Sequence, residues 1–93
     1  MSSDTDWLTD RIQRIADNAI LLDRKLADRP GDYQVRTERR NARQTLRAEL
    51  ARRVYDEHPD WPYRRQYYLY TAREREALQG AQARLAEKAE ASA

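Results

Sequence analysis

The chain has 93 residues, of which 37% are charged, with eighteen basic side chains against sixteen acidic ones for a net charge of +2. That length makes one domain spanning 1–93 with a thin stability margin, because a small chain buries a smaller fraction of its surface than a large one. The lack of cysteine excludes disulfides, a thiol nucleophile and a cysteine zinc site, and no apolar run approaches the roughly 20 residues of a membrane span.

The sequence pI of 9.1 reflects sixteen arginines, which keep their protons to very high pH, so the charge balance alone does not indicate nucleic acid. The opening stretch MSSDTDW is acidic and has no apolar core of the signal-peptide kind. A soluble cytoplasmic protein with no membrane partner is the expectation. Fourteen alanines dilute the hydrophobic content. The large aliphatics are Ile12, Ile15, Ile20, nine Leu, Val35 and Val54, enough for a slim helical core.

Three prolines and two glycines punctuate the chain where helices should end. Residues 5–28 read as the first helix, with Ser3 or Asp4 as N-cap and Asp6 in the first turn, where an acid suits the helix dipole. Leu8, Ile12, Ile15, Ala19, Leu22 and Leu26 alternate spacings of four and three, an apolar seam of the heptad kind. Arg29-Pro30-Gly31-Asp32 then stops the helix and turns the chain.

Residues 33–57 read as the second helix, capped by Asp32. Val35, Ala42, Leu46, Leu50 and Val54 fall on one narrow stripe. His58-Pro59-Asp60 ends it, since the residue before a proline avoids the α region. Asp60 is the expected cap of a third helix over 61–88, with Pro62 tolerated in its first turn. Tyr63, Tyr67, Thr71, Leu78, Ala81 and Leu85 form its expected main face. Residues 1–4 and 89–93 have little to bury and are expected to fray or be disordered. The fold class is therefore all-α, with three antiparallel helices as a small bundle or as an extended helical hairpin onto which the third helix docks.

The decamer WPYRRQYYLY, residues 61–70, holds Trp61, Tyr63, Tyr67, Tyr68 and Tyr70, most of the aromatic surface of a chain with two Trp, six Tyr and no Phe. Such rings, interleaved with Arg64 and Arg65, suit a protein-interface hot spot or a stacking platform for bases, and they also fill cores. Ile20, Leu21 and Leu22 point around the full circumference of the first helix, and Tyr67, Tyr68, Leu69 and Tyr70 do the same on the third. A helix apolar all round is buried all round, so these two girdles cover each other or a partner covers one of them. Leu69, opposite Leu78, marks the second girdle.

Arg36, Arg40, Arg43 and Arg47 form one ridge on the second helix with Arg39 beside it, while Glu38, Glu49 and Asp56 flank the other side of the stripe. The ridge could track a phosphate backbone or pair with acids on neighbouring helices, and segregated charges of this kind set helix register. Asp56-Glu57-His58-Pro59-Asp60 superficially resembles a metal cluster, but adjacent residues at a helix end diverge and no second His exists, so no metal site is assigned. One His, no Cys and no glycine-rich phosphate loop leave catalysis without its usual groups, so no enzyme activity and no cofactor are expected. Glu74 falls within the apolar stripe of the third helix, where a carboxylate needs a partner. An arginine of the second helix or a Tyr hydroxyl would serve, unless the side chain leans out to water.

These features point to a non-enzymatic interaction or assembly subunit. Its partner-binding residues would be Trp61, Tyr63, Tyr67, Tyr68, Leu69, Tyr70, Ile20 and Leu21, and its partner another protein or a second copy. The alternative is a nucleic-acid-binding accessory protein using Arg36, Arg40, Arg43, Arg47, Arg64 and Arg65.

Overall fold

Local hydrogen bonding decides where each helix starts. A computed structural model describes residues 6–92 and contains helices α1 (Asp10–Asp28), α2 (Tyr33–Glu57) and α3 (Tyr63–Ser92). Helix α1 begins later than expected, because the Thr9 hydroxyl accepts the Ile12 amide at 3.2 Å and so acts as N-cap. Ser3 and Asp4, the expected caps, lie outside the described residues. The amide of Thr9 donates to the Trp7 carbonyl, a turn that folds the Trp7 ring back into the core.

Helix α2 matches its expected bounds, with the Asp32 carboxylate accepting the Val35 amide. Its five expected stripe residues, Val35, Ala42, Leu46, Leu50 and Val54, are all buried. Full burial of Leu46 or Leu50 contributes about 1.5–3 kcal/mol each. Helix α3 starts two residues later than expected: the Pro62 carbonyl accepts the Arg65 and Gln66 amides, and Asp60 stays in the preceding turn. At its other end α3 continues to Ser92, past the expected end at 88.

Contacts between helices report their directions. Arg11 near the start of α1 meets Glu49, while Asp23 near its end meets Arg39 and Arg43, so α1 and α2 are antiparallel. Gln66 near the start of α3 meets His58 at the end of α2, while Glu74 further along α3 meets Arg47 further back on α2, so α2 and α3 are antiparallel as well. Asp17 meets Arg84 while Trp7 lies under Arg73, so α3 runs parallel to α1. All three helix pairs pack together. The fold is an up-down-up three-helix bundle, not an extended hairpin.

The main core cluster gathers Trp7, Ile12, Ala16, Ile20, Leu46, Leu50, Val54, Tyr70, Ala77 and Ala81. A second cluster toward the α1–α2 turn holds Ala19, Leu22, Val35 and Ala42. The buried face of α3 is Gln66, Tyr70, Glu74, Ala77 and Ala81. Of the expected Tyr63, Tyr67, Thr71, Leu78, Ala81 and Leu85 face, Ala81 is inside, Leu78 and Leu85 pack at its edge, and Tyr63 and Tyr67 are exposed. The small Ala77 and Ala81 side chains sit at the centre of that face, where they leave room for a close approach. Leu69 packs on the core from one flank and Leu78 and Leu85 from the other. Because α3 touches both neighbours, the chain's own helices cover Ile20, Leu22 and Tyr70 and half-cover Leu69, while Leu21, Tyr67 and Tyr68 stay exposed.

Candidate interaction surface

The α2–α3 corner is built on hydrogen bonds to the end of α2. The His58 amide donates to the Val54 carbonyl at 2.8 Å, and the His58 carbonyl accepts from the Trp61 amide and from the buried Gln66 side chain at 2.9 Å. A buried amide side chain of this kind holds its place only through such a bond. Gln66 thus fastens the start of α3 to the end of α2. Hydrophobic periodicity does not register it. The signal that could have found it is a long polar side chain one turn beyond a proline corner.

His58 and Trp61 stack with ring centroids 3.6 Å apart and planes inclined by 10°. The Arg65 guanidinium carbon lies 3.9 Å from the Trp61 ring centroid, within cation–π range. Trp61 and Arg65 are therefore engaged with the chain's own groups, and the 56–60 segment serves as a corner. Among the described residues no group of three or more His, Asp or Glu is placed to hold a metal ion.

Three members of the expected partner-binding set are corrected by the packing. Ile20 and Tyr70 lie inside the core, and Leu69 is half-buried against it, because α1, α2 and α3 enclose them within one chain. Tyr70 meets Tyr55 edge-on at 6.1 Å and Tyr67 at 5.4 Å. Hydrogen bonding with Tyr63, then burial, then hydrogen bonding with Tyr55 hold the Tyr70 hydroxyl well above the usual tyrosine range. On this foundation Tyr63 and Tyr68 stand outward, 65% and 62% exposed, with Tyr67 between them and also exposed. Leu21 is exposed too, on α1.

The arginine ridge divides into paired and free members. Arg39 and Arg43 both donate to Asp23 of α1, and Arg47 donates to Glu74 of α3 at 2.8 Å. Arg36 donates to the Pro30 carbonyl, while Arg40 is exposed. Neither Arg36 nor Arg40 meets a carboxylate among the described residues, and Arg64 is exposed as well. The pairing also settles Glu74: it is buried, and its partner is an arginine of the second helix. The Glu74 bond and charge hold the Arg47 guanidinium above its ordinary value.

Two open grooves follow the ridge. One, of about 500 Å³, runs along α2 from Tyr33 past Arg36, Arg40 and Arg43 to Arg47 and Glu74. The other, of about 440 Å³, begins at the same Arg47 and Glu74 and continues to Tyr67, Tyr68 and Arg75. The fold thus brings the arginine ridge of α2 and the outward tyrosines of α3 to adjoining parts of one surface.

Burial by itself would raise the Asp23 carboxyl, but hydrogen bonds and charge from Arg39 and Arg43 outweigh it and hold Asp23 below the ordinary carboxylate range. A carboxyl lowered in the folded state contributes stability above its unfolded value of about 3.9, and that contribution disappears as pH falls through the folded value. Asp23→Asn is therefore expected to destabilise at neutral pH. The gap to wild type should close in acid, below the folded value. Urea melts of both proteins from neutral to acidic pH check this, and a gap that stays constant with pH would show that the Asp23 charge contributes nothing.

No family model, no curated protein and no solved structure matches the chain. Among the described residues no helix is long and apolar enough to cross a membrane.

Proposed function

We propose that this chain is a non-enzymatic assembly subunit that binds a protein partner, in the first instance a second copy of itself, through the outward tyrosines of α3. One observation carries the reading: Tyr63, Tyr67 and Tyr68 face solvent from a well-anchored half of α3 while the aliphatic Leu69 and Leu78 beside them pack against the core. Tyrosine offers a large, stiff, amphipathic contact and is enriched where interface energy concentrates. Tyr70 and Gln66 beneath these rings hold the backbone in place, so little ordering cost falls on binding. A net charge of +2 gives two copies little mutual repulsion, and an isologous pair would set the same rings against each other.

Light scattering behind size exclusion, over rising concentration, tests the proposal. Wild type is expected to move from 11.1 kDa toward about twice that mass. Tyr63→Ser combined with Tyr68→Ser should hold the chain at monomer mass with unchanged helix content. A wild type monomeric at about 0.5 mM, whose cross-linked partners in cells are also unchanged in the double variant, would sink the reading.

A further inference from the structure

We infer that the groove along α2, from Tyr33 to Arg47, is a binding site for single-stranded nucleic acid, adjoining the tyrosine face proposed for protein contact. Arg36, Arg39, Arg40, Arg43 and Arg47 line this groove, and the carboxylates that answer them are Glu74 and, behind the ridge, Asp23. The chain as a whole is nearly neutral, so this face concentrates positive charge that the rest of the molecule does not share.

The internal pairs prepare the groove without neutralising it. A guanidinium carries five N–H donors, and Asp23 takes one from Arg39 and one from Arg43. Two cations on one carboxylate leave a net positive charge. Arg36 and Arg40 are exposed and free of carboxylates. Planar forks of this kind match phosphate oxygens bidentately, which a lysine ridge would not do.

Spacing and rings favour a nucleic-acid strand over an acidic peptide. Arg36 to Arg47 spans eleven residues of helix, about 16 Å, which covers roughly three phosphates of an extended single strand, since these lie further apart than the ~3.4 Å rise of a stacked duplex strand. Tyr33 stands at one end of the groove and is 77% exposed, and the groove opens at Arg47 toward Tyr67 and Tyr68. Exposed rings give unpaired bases π-faces on which to stack, a contact that a carboxylate peptide does not use and that a duplex, with its bases already stacked, does not offer.

Fluorescence anisotropy with labelled oligo(dT) of about 12 nucleotides, on the full chain, tests the assignment. Neutralising about three phosphates on a single strand should give a log–log salt slope near about −2, roughly a tenfold loss of affinity between about 50 and 150 mM salt. Arg36→Glu combined with Arg40→Glu should weaken binding at least tenfold and flatten the slope by about 1.4, with helix content unchanged because Arg40 is exposed and Arg36 makes one exposed hydrogen bond, to the Pro30 carbonyl. Tyr33→Ala should weaken binding about fivefold or more at unchanged slope. No binding at low salt would overturn the proposal. So would a poly-glutamate peptide of equal charge that binds as tightly and is indifferent to Tyr33→Ala, since the groove would then take acidic protein. A duplex bound as tightly as the single strand would likewise overturn it. None of these variants touches Tyr63 or Tyr68, so failure here is separable from failure of the self-association test.

Discussion

Trp7→Ala is expected to destabilise the fold by about 3–5 kcal/mol, the usual cost of removing a large buried aromatic side chain. Trp7 is almost fully buried in the main core cluster although it precedes the first helix. Its ring lies 5.4 Å from the Arg73 guanidinium of α3, so it joins the segment before α1 to the third helix. Small domains have about 5–15 kcal/mol of stability in all, so this loss removes a large part of it. Urea unfolding gives the value from the midpoint at constant slope. Trp7→Phe should recover much of the loss, and Thr9→Ala, which removes only the cap, should cost about 1 kcal/mol. A loss below about 1 kcal/mol for Trp7→Ala would mean that the ring does not close the core.

The second large effect is expected at Glu74. Its side chain is 11% exposed against 53% for its partner Arg47, so most of the desolvation falls on the carboxylate. Glu74→Gln leaves a charged hydrogen bond half made and should cost about 1–3 kcal/mol. Glu74→Lys sets a second cation beside Arg47 in a buried position and should cost about 3–5 kcal/mol. Arg47→Met combined with Glu74→Leu removes both charges, and it should be less damaging than Glu74→Lys because no unpaired ion remains. Urea melts of the three variants at neutral pH decide the matter. Equal stability of wild type and Glu74→Gln would show that Glu74 is solvated in place and that its pairing adds nothing.

Self-association and strand binding would use adjoining parts of one surface. Arg47 belongs to both grooves, and its pairing with Glu74 holds it at the junction. A chain that used both sites would place a bound strand beside the interface between copies, the arrangement expected of a small subunit that assembles on a nucleic acid.

The amino-acid sequence by itself determined the helices and their breaks, since proline, glycine and capping residues act on the backbone within a few positions. Asp32 caps α2, His58-Pro59 ends it, and its stripe of Val35, Ala42, Leu46, Leu50 and Val54 is buried as the spacing implies. A buried carboxylate in an apolar stripe also had to find a partner, and Glu74 did so in Arg47. Helix α1 has the competing signals that make a boundary ambiguous, for both Asp4 and Thr9 are chemically fit to cap it. The α1 seam of Leu8, Ile12, Ile15, Ala19, Leu22 and Leu26 packs inward as its spacing implies, whereas only the tertiary structure decided the inside face of α3 and the wider arc by which α1 also buries Ala16 and Ile20. Periodicity gives the direction of a stripe, but a helix with two packed neighbours buries a wider arc, whose centre depends on where small residues allow close approach. That is why Ala77 and Ala81 draw Gln66 and Tyr70 inward and leave Tyr63 and Tyr67 outside. It is also why Ile20 and Leu69, which read as surplus on a single stripe, pack within the chain. The division of the arginine ridge into paired Arg39, Arg43 and Arg47 and free Arg36 and Arg40 has the same origin, because it depends on which carboxylates neighbouring helices bring within reach.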